Sequence, residues 1–110
     1  MSAYLVVITI GRNVGNLPMS EADWFGFRKQ VANDLADVQA VVLQRPKLVM
    51  GNVSQVGVWQ DTEEEACTFV ATVSSLGRVS RLSAALANTK AVYKQDAIGF
   101  IFLQGTRHFV

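Results

Sequence analysis

Gly11-Arg12-Asn13-Val14-Gly15-Asn16 sets one guanidinium among two glycines and two asparagines. A loop of that make-up exposes backbone N–H groups, and Arg12 has the fork geometry that pairs with phosphate or carboxylate. It lacks the Gly-x-x-x-x-Gly-Lys-Ser/Thr of a P-loop and the Gly-x-Gly-x-x-Gly of a dinucleotide fold. The competing reading is a plain strand-to-helix turn, where glycines are common. Tyr93-Lys94 and Arg107-His108 form a second group. With Arg12 they would line a cationic and aromatic pocket, at the strand ends or at a subunit seam, for a small anionic, nucleotide-like ligand. A core-anchoring tyrosine with solvated cations is the plainer account. The candidate ligand-binding residues are thus Gly11, Arg12, Asn13, Tyr93, Lys94, Arg107 and His108.

Other reactive residues stand alone. His108 is the one histidine, with a side chain that titrates near neutrality, but no metal-ligating partners are grouped around it. Cys67 is the one cysteine, which excludes an intramolecular disulfide and a cysteine-based metal site. Its place on an apolar strand face suits a small core hydrophobe better than a nucleophile. Asp61 and Glu63-Glu64-Glu65 can bind a cation or trade protons, yet a turn that solvates its charges explains them more simply. Trp24 and Trp59 read as packing residues. No catalytic residue, metal or cofactor is assigned, and the absence of a grouped constellation favours binding over catalysis.

The elements that must position these groups follow from periodicity. Tyr4–Ile10 is β-branched and apolar on both faces, as in a strand buried on both sides. Ser20 offers an N-cap, with Glu21 and Asp23 in the first turn, and Trp24, Phe27, Val31, Leu35 and Val38 recur at helical spacing. Asp34 and Asp37 oppose that helix's dipole and predict a frayed last turn. Ala40–Val49 reads as a strand, placed at an edge by Pro46. Gly51-Asn52 predicts a hairpin to a partner strand over Val53–Gln60. Asp61–Glu64 reads as a polar turn and Ala66–Val73 as a strand with Cys67, Phe69, Ala71 and Val73 on one face. Ser74 or Ser75 caps a second helix with Leu76, Val79, Leu82, Leu86 and Tyr93 along its stripe. Ala97–Leu103 is a last apolar strand, and Gly105 permits a bend before the tail.

The resulting order, β-α-β-β-(β)-α-β, defines a single α+β domain over residues 1–110. It is a ferredoxin-like sheet with both helices on one face and an extra edge hairpin strand. Two helices cover one face only, while the first and last strands are apolar on both. The uncovered face therefore calls for a second copy of the chain, most simply as a dimer burying about 800 Å² per partner.

The 110 residues are 50% hydrophobic, enough for one core without staples. Ten Lys and Arg against nine Asp and Glu give a net charge of +1, and the basic residues are scattered, which disfavours a nucleic-acid polymer or an anionic membrane as partner. The longest apolar run, Leu5–Ile8, is far short of the roughly 20 residues that span a bilayer. Met1–Tyr4 has no basic n-region, so the cytoplasm is the expected location.

The strand ending in Gly11-Arg12, then Gly15, Ser20-Glu21-Ala22-Asp23-Trp24 and Phe27, together with Gly57-Val58-Trp59 and Tyr93-Lys94-Gln95-Asp96, resembles a small bacterial and phage family. The resemblance covers most of the chain, with Leu48–Ser54 as an addition. It implies a ferredoxin-like fold and leaves activity open. A phage setting would make sequestration of a host signalling nucleotide, in the host cytoplasm, one version of the binding role. The alternatives are a small enzyme using His108 or Tyr93 for proton transfer, and a protein-interaction module built on the Pro46 edge strand or the Phe109-Val110 tail.

Overall fold

A computed structural model of the chain describes residues 3–51 and 64–105. Strand β1 (Ala3–Gly11) is followed by a small hairpin, β2 (Asn13–Val14) against β3 (Leu17–Pro18), turned by Gly15 at φ 62°. That left-handed conformation is open to glycine without a Cβ clash. Helix α1 (Glu21–Asp37) begins at Ser20, whose Oγ accepts the Asp23 N–H at 3.1 Å. Strands β4 (Val41–Gly51) and β5 (Glu64–Val73) come next, and then α2 (Leu76–Val92), capped by Ser75 Oγ accepting the Arg78 N–H at 3.2 Å. The last strand is β6 (Gly99–Gly105), two residues later than its hydrophobic run predicts.

The sheet order is β4-β5-β1-β6, with every neighbouring pair antiparallel. Val6, Ile8 and Ile10 of β1 and Cys67, Phe69, Ala71 and Val73 of β5 share one face, as alternation requires. They pack against Trp24, Phe27, Val31 and Leu35 of α1 and Val79, Leu82 and Leu86 of α2 in a single core. Leu76, expected in that stripe, lies at the helix start and is exposed. No helix among the described residues is long and apolar enough to cross a membrane.

Both helices close in the same way. Ala40 N–H bonds Leu35 O at 3.0 Å and Gln39 N–H bonds Ala36 O at 2.9 Å; Gln95 N–H bonds Lys90 O at 3.0 Å and Lys94 N–H bonds Ala91 O at 3.3 Å. These are Schellman closures, yet the left-handed position that favours glycine holds Gln39 (φ 56°) and Lys94 (φ 55°). The frayed end expected of α1 is thereby corrected. Asp34 is buried and its carboxylate accepts from Thr89 Oγ1 of α2 at 2.6 Å and from Gln30 Nε2 at 3.0 Å.

Among the described residues β4 and β6 are the sheet edges. Two register irregularities fall in β4, between Val42 and Gln44 and between Gln44 and Lys47, so Pro46 sits where the ladder is already broken. β4 pairs directly with β5; the hairpin at Gly51-Asn52 and the strand over Val53–Gln60 lie outside the described residues. The face away from the helices carries Leu5, Val7 and Val70, all half-buried, interleaved with Thr9, Thr68 and Thr72.

Candidate functional site

The register places Gly11 opposite Ala66 and Thr9 opposite Gly99, so β1 ends where β5 and β6 begin. The start of α1 and the end of α2 meet at that same end of the sheet. Arg12 ties it together. Its backbone N–H bonds Glu65 O and its carbonyl accepts from Met19 N–H, both at 2.9 Å. Its side chain donates from Nε to Met19 O at 2.8 Å and from Nη1 to Glu65 Oε2 at 3.0 Å, and Nη1 also reaches Glu21 Oε1 at 3.1 Å. The guanidinium proposed from sequence to grip a ligand anion is thus occupied by the chain's own carboxylates. The hydrogen bond from Arg12 holds the Glu65 carboxyl below its ordinary value near 4.5, opposed by partial burial. The Trp24 indole adds to that lowering from close by, without closing a hydrogen bond.

Glu64 corrects the expectation of a solvated acidic turn. It belongs to β5, is 7% exposed, and accepts the Asn13 N–H at 2.7 Å. A Cβ at Gly11 would stand 2.7 Å from its carboxyl atoms, so the carboxylate holds its place on Asn13 N–H because the residue beside it is glycine. Neither the burial nor the partner was visible in a run of like charges.

Hairpin β2–β3 is held against the end of α2 by Gln95 Nε2, which donates to Asn13 O at 3.1 Å. The structure therefore brings the Gly11–Asn13 segment beside Tyr93-Lys94, two groups 80 positions apart in sequence. A cleft of about 310 Å³ opens there, lined by Val14, Met19, Asp23, Val92, Tyr93 and Lys94. Tyr93 stacks on Phe27 with ring centroids 4.9 Å apart and planes 18° apart. Its hydroxyl lies against Gly26, where a Cβ would come within 2.9 Å of it, so a glycine inside α1 serves the placement of this ring. Lys94 and Asp23 are exposed at the rim, with Leu17 at the hairpin tip 74% exposed. Asp23, Met19 and the hairpin were missed as site elements. The Gly15-Asn16 pair was the turn signal that marked the hairpin. Arg107, His108 and Trp59 lie outside the described residues.

The architecture is a ferredoxin-like α+β fold, a four-stranded antiparallel sheet backed by two helices. No protein-family model and no curated protein matches the chain. Among solved structures it is similar to a phage SAM lyase in complex with S-methyl-5′-thioadenosine, with a TM-score of 0.61 at 14% identity, over 93% of this chain and 81% of that one. It is also similar to an unknown protein from Galdieria sulphuraria (TM-score 0.52, 11% identity, 94% of this chain and 49% of that one). A third is a dimeric ferredoxin-like protein of unknown function from Thermobifida fusca, with a TM-score of 0.50 at 8% identity, over 92% and 90% of the two chains. At these identities the likeness defines the fold.

Proposed function

We propose that the chain is a homo-oligomeric binding protein for a small, nucleoside-like ligand, held in the cleft beneath hairpin β2–β3. The cleft itself carries this reading: aromatic, ammonium, carboxylate and apolar groups converge on about 310 Å³. Ligand pockets run from roughly 300 to 1,000 Å³, so this one suits a single nucleoside rather than a dinucleotide. Tyr93, fixed against Phe27, supplies surface for a base; Asp23 accepts from a hydroxyl or amine; Lys94 meets an anionic end. Gly11 and Asn13 shape the wall and Arg12 braces it, while Arg107 and His108 are the sequence's further candidates for the anionic end. The phage enzyme of like fold holding S-methyl-5′-thioadenosine supports a ligand of this class, and the dimeric neighbour supports assembly. Sequestration of a signalling nucleotide is the form this role takes in a host cytoplasm.

The test is calorimetric titration of the native chain with S-methyl-5′-thioadenosine, adenosine and AMP. Saturable binding is expected, weakened about tenfold or more by Tyr93→Ala and by Lys94→Ala. Binding of none of the three, or binding that neither substitution alters, refutes the assigned cleft.

The second reading is enzymatic, supported by the likeness in fold to the phage SAM lyase at a TM-score of 0.61. In it Tyr93 Oη would handle the proton. Incubation with SAM, followed by chromatography for S-methyl-5′-thioadenosine, separates the two: turnover selects the enzyme and binding without turnover selects the sequestering protein.

A further inference from the structure

The two edges of the sheet are unlike. β4 is interrupted by two register irregularities and carries Pro46, both of which spoil an edge for further pairing. β6 has neither. Its ladder to β1 runs without a break from Thr9 opposite Gly99 to Ala3 opposite Gly105, and Phe100-Ile101-Phe102-Leu103 contains no charge and no proline. Its other side has no partner among the described residues. Ile101 and Leu103 are each 61% exposed on the open face and Phe102 is 45% exposed on the helix face, so the strand is bare on both sides. The middle of the open face is different: its Leu5, Val7 and Val70 are half-buried and interrupted by threonines, two of which, Thr9 and Thr68, contact each other at 3.4 Å.

From this contrast we infer that β6 is the seam along which a second copy of the chain joins, antiparallel to its own counterpart, so that the four described strands of each copy run on into one continuous sheet. The occupant is a second copy because an uncharged, uninterrupted strand meets its own antiparallel image without a like-charge clash, and a two-fold axis closes the assembly at two chains. The helix layer has room for it. A cleft of about 210 Å³ runs beside β6, between Ile98 and Phe100 on one side and Leu86 and Ala87 of α2 on the other, with Ser83 and Lys90 of α2 also in its wall. In a sheet continued through β6, the partner's Phe102 falls on the same face as this cleft and supplies the apolar volume it lacks. The inference rests on the assembly half of the reading above, and it moves the contact from the centre of the open face to one edge.

Single cysteines at Ile101, Phe102 and Leu103, and as controls at Leu5, Val70 and Val41, test the seam by oxidative cross-linking of the full chain. Paired strands bring directly opposed Cβ atoms to about 4.5–5.5 Å, from which a small local adjustment reaches the roughly 3.5–4.5 Å of a disulfide. Cross-linked dimer is expected for the one β6 variant that sits on the two-fold axis and for none of the controls, with the native chain silent because Cys67 is buried. Ile101→Lys and Leu103→Lys, at exposed positions, should keep the native circular-dichroism spectrum and weaken self-association by about tenfold or more. Val41→Lys, 62% exposed on the other edge, should leave it unchanged. Cross-links at Leu5, Val70 or Val41, or none in β6, overturn the seam while a native chain of twice the monomer mass keeps the assembly. A native chain that sediments as a monomer at tens of micromolar overturns both.

Discussion

Replacing Thr89 by valine tests how the candidate cleft is held in place. Thr89 Oγ1 donates to Asp34 Oδ2 at 2.6 Å, with both residues 4% exposed, in a contact that ties α2 to α1. Thr89→Val keeps the shape and deletes the donor, leaving a buried carboxylate oxygen without it, since Gln30 serves the other oxygen. A hydrogen bond to a carboxylate contributes about 1.5–3 kcal/mol, so the loss should be about 2 kcal/mol, or a fall in Tm of about 10 °C for a domain of this size. Thermal and urea unfolding followed by circular dichroism measure it. Adding Asp34→Leu should recover much of the loss, because removing both partners abolishes the unpaired group. The variant should also weaken ligand uptake, since Thr89 O receives the Tyr93 N–H at 3.1 Å and the same turn carries Lys94. A loss below about 0.5 kcal/mol would mean that solvent already serves Asp34, and the helix pair would not be what fixes Tyr93.

Acid sensitivity follows from Glu65. Arg12 lowers its pKa in the folded chain relative to the usual 4.5, so this contribution to stability is present above about pH 4.5 and is lost as pH falls through the lower folded value. Denaturant melts between pH 6 and about 3 should show that loss, and Glu65→Gln should flatten it; an unchanged acid limb argues against the Arg12 pairing. Gln39→Gly and Lys94→Gly should each stabilise by about 1 kcal/mol by relieving a left-handed non-glycine residue. Only the second should weaken ligand binding in calorimetry, and equal effects on binding would remove Lys94 from the site. Gly11→Ala should destabilise by about 1–2 kcal/mol by displacing the Glu64 carboxylate from Asn13 N–H, and Glu64→Ala should suppress most of the difference. A Gly11→Ala chain as stable as the native one would show that Glu64 swings aside freely.

The parts of the fold governed by neighbours in sequence were legible. Ser20 and Ser75 both cap, β1 runs where the β-branched stretch lies, and the Cys67-to-Val73 alternation turns to the core. Reading by local chemistry failed where a distant partner decides. Asp34 looked hostile to its helix end because Thr89, which satisfies it, is 55 positions away. Glu64 and Glu65 looked like solvated charges because Asn13 and Arg12, which hold them, arrive only through the β1–β5 register. The candidate site divides along the same line. Tyr93 and Lys94 were recognisable as an aromatic and a cation, whereas Arg12's own carboxylates depend on the β1–β5 register and the start of α1, and the contributions of Asp23 and Met19 on how the hairpin lies against the end of α2.

The central place of β1 bears on how the chain is made. Ala3 lies opposite Gly105 in the ladder to β6 and Tyr4 lies opposite Val73 in the ladder to β5, so β1 leaves the ribosome before either of its partners among the described residues has been made. At about 5–20 residues per second, it stays unpaired for several seconds of synthesis. Those seconds leave Leu5-Val6-Val7-Ile8 open to chaperones, and to aggregation with neighbouring nascent chains on the same messenger.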